Sequence, residues 1–320
     1  MKEQGEFMKG LELSEKYYYE HGADMIRENF ADFEQYLAIG LVGSGSECFG
    51  YDDEISTDHD FEPGFCIFLP DEDLVDSRTE FLLERAYSKL PKEFMGYQRS
   101  KINPVGGNRH GVIRMSDFFE AKTGSKNGDI PLNAWFYISE QFLLEATNGK
   151  IFCDNLGRMT QIREKLSYMP EDIRLKKLAG NLLIMAQAGQ YNYSRCIKRG
   201  ETAGAQLAVC EFVNAALRSV FLLNKKYIPY YKWAFRALKD LSVLSDLHND
   251  LEYLISSGNT ESEAIEKQRI TENIAAAVIR ELFSQNITRS ECKELERHAY
   301  SVNDKIKNSE IRNLNILYAV

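Results

Sequence analysis

The chain has 320 residues, of which 44% are hydrophobic, with a formal net charge of -9 and a sequence pI of about 5.3. Its length and apolar content allow a full hydrophobic core, favour two domains and exclude a disordered chain. The acidic balance lacks the basic field that drives non-specific binding to nucleic acids. We therefore expect a small-molecule substrate rather than RNA or DNA.

The sequence indicates a cytoplasmic protein with no membrane association. No apolar run approaches the roughly 20 residues that cross a bilayer, and the acidic start MKEQGEF lacks a secretory pattern. The six cysteines are scattered, with no C-x-x-C pair and no histidine at zinc-ligand spacing, so we expect reduced thiols. The sequence leaves the oligomeric state open.

The first half of the chain reads as mixed α/β. A leading amphipathic helix, with Ser14 as a possible N-cap, runs into a short apolar strand that ends at a glycine-serine cluster. Further strands and helices follow, which gives predicted helices at residues 11–33 and 77–89 and predicted strands at residues 36–42, 61–69 and 111–115.

The second half has helical periodicity almost to its end. We expect helices at residues 174–197, 203–223, 231–245, 246–256 and 260–283. The boundary is placed near Met169-Pro170, because a proline there begins a helix whose first turn holds Glu171 and Asp172. This predicts a first domain of residues 1–168 and a helical domain of residues 169–320.

Two features between residues 43 and 60 indicate chemistry. Glycine and serine after a buried strand, at Gly43, Ser44 and Ser46, allow a phosphate to approach the backbone closely. Asp58 and Asp60 are two residues apart at the start of the next predicted strand, so both carboxylates would project from one face. Carboxylates in this arrangement suit Mg²⁺, which prefers oxygen ligands.

Each feature alone is common, as an ordinary loop or as solvated charge. Together, the strand, the glycine-serine turn and the Asp-x-Asp pair resemble the layout of the nucleotidyltransferase superfamily. The block GSGSECFGYDDEISTDHDFEPGF resembles an uncharacterised branch of that superfamily, a domain of unknown function. The arrangement of the whole chain is similar to that of aminoglycoside and lincosamide nucleotidyltransferases. This resemblance implies an α+β fold, with a small mixed-sheet nucleotidyltransferase domain followed by an all-helical bundle.

The resemblance also assigns site residues. Gly43 and Ser44 would contact the triphosphate, with Ser46 nearby, and Asp58 and Asp60 would bind Mg²⁺. After Asp60 such relatives carry tryptophan, glycine, proline and arginine, whereas this chain has FEPG, which removes one possible phosphate contact.

A third carboxylate usually completes such a site from a further strand. Asp117 is the candidate, although it could equally be the N-cap or the first-turn acid of the following helix. His59 should point to the opposite strand face from the two aspartates, which favours a packed histidine over a catalytic one.

The helical half offers two further candidates. Lys232, in the run Tyr231-Lys232-Trp233, could direct a cation at the phosphates of the nucleotide, or the run could be an aromatic helix start packed in a core. Glu211 and Asn214 lie one turn apart in an apolar helix, where Glu211 could take a proton from an attacking hydroxyl. A solvated or helix-pairing role for this pair is equally consistent with the spacing.

The expected reaction is Mg²⁺-dependent transfer of a nucleoside monophosphate, AMP above all, from ATP or another NTP to a hydroxyl of a small-molecule acceptor. The substrates would lie between the two halves. The alternative is a non-catalytic nucleotide sensor that keeps the phosphate turn, and the acceptor cannot be deduced because fold analogy does not transfer substrates.

Overall fold

The computed structural model describes residues 7–58, 61–99 and 110–320. The chain divides into two compact units. The first contains the described residues up to Pro131 and Gln141–Ser167, and the second contains Leu132–Glu140 and Tyr168–Val320. The predicted boundary lies one residue from the Ser167–Tyr168 junction, but the segment Leu132–Glu140 belongs to the second unit. The first unit is mixed and the second is helical, which confirms the α+β class.

The first unit is organised around a four-stranded mixed sheet of order β5-β2-β1-β6. β1 is antiparallel to β2 and to β6, whereas β2 and β5 are parallel. A two-stranded ribbon, β3 and β4, is separate from it. The strands are β1 (Ala38–Leu41), β2 (Cys66–Leu69), β3 (Glu93–Phe94), β4 (Tyr97–Gln98), β5 (Gly111–Arg114) and β6 (Lys150–Asp154).

The helices of the first unit surround this sheet. The predicted leading helix is interrupted by a π-helical turn at Tyr18–Gly22. Ser14 lies inside α1 and donates a hydrogen bond from its Oγ to the Gly64 carbonyl oxygen at 2.6 Å, so its prediction as an N-cap is wrong. The helices are α1 (Gly10–Tyr17), α2 (Ala23–Asn29), α3 (Ala31–Glu34), α4 (Ser77–Tyr87), α5 (Met115–Thr123), α6 (Glu140–Thr147) and α7 (Arg158–Leu166).

The two central strands are buried on both faces. Ile39 of β1 and its register partner Ile67 of β2 belong to a core that includes Tyr17 of α1. On the opposite face, the ring of Phe68 packs edge-on against Phe118 of α5, with ring centroids 5.2 Å apart. Burial on both sides explains why these strands read as continuous apolar runs rather than as alternating ones.

The second unit is a bundle in which α8 and α10 pack against each other and α14 packs against α8. A π-helical segment, Ala186–Tyr193, continues α8 into α9. The helices are α8 (Glu171–Met185), α9 (Ser194–Lys198), α10 (Thr202–Leu223), α11 (Tyr231–Leu238), α12 (His248–Ser256), α13 (Glu261–Ser284), α14 (Leu295–Asn303) and α15 (Ser309–Asn313).

Helix α10 contributes an apolar face to the core of the bundle. Helix α10 is long and apolar enough to span a bilayer, but 61% of its most apolar stretch is buried inside the protein, as in a core helix.

Lys176 of α8 is fully buried. Its ammonium group donates to Asn303 Oδ1 at 2.8 Å and to the Leu314 carbonyl oxygen at 2.6 Å. These hydrogen bonds replace the bonds to water that the buried ammonium group loses.

Gly149 fixes the connection between α6 and β6. Its φ of +64° is left-handed, its N–H donates to the Cys48 carbonyl oxygen at 2.9 Å, and an added Cβ would lie 2.1 Å from the Leu41 carbonyl oxygen. Gly50 has a similar φ of +72°, but an added Cβ there would meet nothing within 4 Å. The two glycines therefore have the same backbone requirement and different steric surroundings.

We expect Gly149→Ala to destabilise the protein by about 3 kcal/mol or more, because a backbone clash adds to the left-handed strain. The matched variant Gly50→Ala should cost only about 1 kcal/mol, the strain alone. Urea unfolding of both variants measures the difference. Equal losses would show that Leu41 does not confine Gly149.

Candidate functional site

The glycine-serine turn follows the end of β1 at the centre of the sheet. Gly43 and Gly45 have φ values of +110° and +118°, which side-chain-bearing residues rarely adopt. Ser44, between them, is exposed, and Ser46 directly precedes a 3₁₀ helix at Glu47–Phe49. The two glycines thus allow the chain to turn sharply while it presents Ser44 to solvent.

Asn148, at the end of α6, holds this turn through both polar atoms of its carboxamide. Its Oδ1 accepts a hydrogen bond from the Gly43 N–H at 2.9 Å, and its Nδ2 donates to the Gly43 carbonyl oxygen at 2.8 Å. The sequence prediction missed this residue, because the two positions are 105 apart in the chain. Gly43 therefore supplies the shape of the turn, and its amide already has an acceptor.

Arg163 of α7 lies behind Asn148. Its Nη2 donates to the carbonyl oxygens of Thr147 and Asn148, both at 2.7 Å, and so closes the C-terminal end of α6. Burial lowers the pKa of the Arg163 guanidinium, but an arginine stays charged. Its Nη1 is buried without a hydrogen-bond partner within the described part of the chain. Arg163 thereby holds the backbone of Asn148, whose side chain in turn holds Gly43.

Two amides of the turn remain as donors. In the described residues, the N–H groups of Gly45 and Ser46 donate no hydrogen bond, whereas the carbonyl oxygens of both residues accept bonds from residues of the following turn. Successive amides in a turn of this kind form a concave site for an anion. The turn therefore offers two adjacent donors next to the Ser44 hydroxyl.

The neighbouring pair Asp52 and Asp53 has structural partners. Asp52 is almost fully buried, and its Oδ2 accepts the Gly10 N–H at the start of α1 at 2.7 Å, while Lys9 lies 3.4 Å from Oδ1. Asp53 Oδ1 accepts the Ile55 N–H at 3.1 Å at the start of a 3₁₀ helix, Glu54–Asp58. A carboxylate is favoured at both helix starts, so this part of the motif builds the local fold.

The structure corrects the predicted position of the aspartate pair. β2 begins at Cys66, and Asp58 is the last residue of the 3₁₀ helix, so the prediction that Asp58 lies on a strand face is wrong. The short polar sequence before Asp58 favours a turn over an extended strand. The side chain of Asp58, and all of His59 and Asp60, lie outside the described residues. Their roles at a metal site stay predictions.

Asp117 lies in the first turn of α5 and is exposed. This placement matches the alternative of a first-turn acid. No three His, Cys, Asp or Glu side chains gather as a metal site within residues 7–58, 61–99 and 110–320. A further carboxylate, Glu62, precedes β2 at the end of the sheet where Gly40 pairs with Cys66. Its Oε1 lies 3.3 Å from His110 Nδ1.

In the second unit, Glu211 and Asn214 line one groove. It has a volume of about 530 Å³ and is bounded by α8, α10, residues 136–140 and the chain's last two residues. Both side chains are exposed, and they share the groove with Lys177 and Asn181 of α8 and with Arg218 of α10. Their spacing along α10 therefore does bring them to one accessible face.

Lys232 does not share that groove. It is exposed in the first turn of α11, and its ammonium group lies 4.9 Å from the centre of the Trp233 ring, a cation–π contact. The rings of Tyr230 and Tyr231 lie 4.3 Å apart, and both residues are exposed. The run is therefore an exposed aromatic helix start, and a nucleotide role for Lys232 stays a prediction.

Comparison with known proteins finds a similarity to one family over part of the chain. Residues 135–234 match a family described as a domain of unknown function, DUF4037. No curated protein matches the chain. A solved nucleotidyltransferase-like protein from Exiguobacterium sibiricum is similar over 91% of this chain and 89% of its own, with 14% identity and a TM-score of 0.34.

The two hydrogen bonds between Asn148 and Gly43 predict how fast the Gly43 amide exchanges with solvent. In the native protein the Gly43 N–H should exchange slowly with solvent, because it is bonded to a side chain within the fold. Asn148→Ala should speed its exchange at least about tenfold and cost roughly 1–3 kcal/mol, since both backbone groups of Gly43 lose their partner. Hydrogen exchange followed by NMR tests this. Rapid exchange of the Gly43 amide in the native protein would contradict the hydrogen bond from Gly43 to Asn148.

Proposed function

We propose that the protein is a Mg²⁺-dependent nucleotidyltransferase that moves a nucleoside monophosphate, AMP above all, from an NTP to a hydroxyl of a small molecule. The observation that carries the proposal is the turn after β1. Its exposed Ser44 and the amides of Gly45 and Ser46 are adjacent donors, and they follow Gly43, which Asn148 holds through two hydrogen bonds. Such a set suits the oxygens of a phosphate.

The acidic residues that follow the turn in the sequence are of the kind that Mg²⁺ binds. Asp58 and Asp60 follow the turn closely in the chain, and Glu62 supplies a third oxygen donor beside His110. Mg²⁺ accepts one or two carboxylates together with phosphate oxygens. When bound, the ion would neutralise charge on the phosphates. Asp117 remains a further candidate ligand, and its exposed position at the start of α5 leaves its carboxylate accessible.

The protein's own groups have separate tasks in this proposal. The turn orients the phosphates, so that positioning and charge stabilisation supply most of the rate. Glu211 would accept the proton of the attacking hydroxyl, since it lines a groove and has no hydrogen-bond partner among the described residues. The groove that Glu211 lines would then hold the acceptor.

The nucleotide site is tested by calorimetry with Mg-ATP. The double change Asp58→Asn and Asp60→Asn should weaken binding about 100-fold or more, because the metal loses charged ligands. Ser44→Val should weaken binding as well, because it removes a hydroxyl and places a branched side chain beside the phosphates. Asp73→Asn, at an exposed acid elsewhere, is the control. Unaltered affinity in the double variant of a folded protein would refute the site.

The role of Glu211 is tested in a transfer assay with α-labelled ATP and a metabolite extract. Glu211→Gln should lower the transfer rate by about 10²-fold or more while Mg-ATP affinity stays the same, because only proton transfer is lost. Glu296→Gln, at another exposed glutamate, should have no effect.

Normal transfer by Glu211→Gln would exclude it as the base. Mg-ATP binding without transfer to any component of the extract would instead favour the nucleotide sensor.

A further inference from the structure

The groove of the second unit has a polar lining arranged along two packed helices. Lys177, Asn181 and Ile184 are spaced along one face of α8, and Glu211, Asn214 and Arg218 along one face of α10. Residues three, four and seven apart share a helix face, so each set forms a continuous wall. The groove thus has hydrogen-bonding groups on both sides and lies within one compact unit.

The charges in the groove are divided between a paired set and an unpaired set. Lys177 is buried and lies 3.4 Å from Glu140 Oε1, and the other oxygen of Glu140 accepts the Ile228 N–H at 3.1 Å. Arg218 and Glu211 are exposed, and neither has an ionic or hydrogen-bond partner among the described residues. Among the charged side chains that line the groove, Arg218 and Glu211 are therefore the two open to a ligand.

Asn181 adds a built polar group to the floor of the groove. The residue is only 3% exposed, and its Nδ2 donates to the Lys177 carbonyl oxygen at 2.8 Å. Its Oδ1 accepts no hydrogen bond from the part of the chain that the structure describes, although the residue lines the groove. This oxygen is not sealed from solvent within the described part of the chain, so it can accept a hydrogen bond from a ligand hydroxyl.

The distance between the two open charges sets the length of a ligand that could contact both. Glu211 and Arg218 are seven residues apart on α10, and a rise of 1.5 Å per residue separates them by about 10 Å along the helix. A ligand that meets both needs an anionic group for the Arg218 guanidinium and a hydrogen-bond donor for the Glu211 carboxylate. The volume of about 530 Å³ accommodates a molecule of one or two sugar rings.

We propose that this groove binds an elongated hydroxylated anion, a phosphorylated or carboxylated sugar. Its anionic group pairs with Arg218, since a guanidinium matches the oxygens of a phosphate or a carboxylate. Its hydroxyls donate to Asn181 Oδ1 and Glu211 and accept from Asn214. The assignment of this molecule as the acceptor rests on the proposed function, whereas its binding does not.

The test is binding to a defined library in the absence of nucleotide. The library contains sugar phosphates and uronic acids of one and two rings, each with its neutral parent sugar, and affinities are measured by native mass spectrometry and calorimetry. We expect at least one anionic member to bind about tenfold or more tightly than its neutral parent. Arg218→Gln should remove that preference, because it deletes a charge-assisted pair.

Arg280→Gln is the matched control, because Arg280 is an exposed arginine on α13 outside the groove. Asn181→Leu should weaken binding of the same anion and of its neutral parent alike, because it removes a hydroxyl acceptor rather than a charge. The proposal is overturned if no anionic member binds, if charged and neutral members bind equally, or if Arg218→Gln retains full affinity. Because no nucleotide is present, these results are independent of those for Mg-ATP at the turn.

Discussion

The double hydrogen bond between the Asn148 carboxamide and the backbone of Gly43 is the interaction on which the candidate site depends. It joins the end of α6 to the end of the central strand and holds the turn at a conformation that only glycine adopts readily. Arg163 secures the same helix end, and Gly149 allows β6 to begin directly beside it. A turn fixed in this way can present amides to an anion without first becoming ordered.

The motif around the turn combines residues of two kinds. Asp52 accepts a hydrogen bond from the first residue of α1, and Asp53 from the first turn of a 3₁₀ helix, so both carboxylates support the local fold. Ser44 is exposed, and the N–H groups of Gly45 and Ser46 donate no hydrogen bond within the described part of the chain. Residue type alone therefore does not identify the functional positions of the motif, since Asp52 and Asp53 support the local fold whereas Asp58 and Asp60 are the proposed metal ligands.

The sequence predicted the α+β class, the buried central strands and most helices of the second unit, because these follow from local periodicity. It missed β6, which is a short half-buried strand between two helices, and the π-helical turns, which are set by tertiary packing. It placed Asp58 on a strand, because an alternating run of acids resembles strand periodicity. The partners Asn148 and Arg163 lie too far along the chain for any local pattern to indicate them, and the groove beside Arg218 requires two helix faces to be brought together.

The claim that the turn binds the phosphates of a nucleotide is tested most directly by NMR of its amides. Titration with Mg-ATP should shift the Gly45 and Ser46 N–H resonances strongly, because those amides gain a phosphate acceptor. The Gly43 N–H, already bonded to Asn148, should change little in exchange rate. Binding of Mg-ATP that leaves the Gly45 and Ser46 resonances in place, or no binding at all, would contradict the assignment.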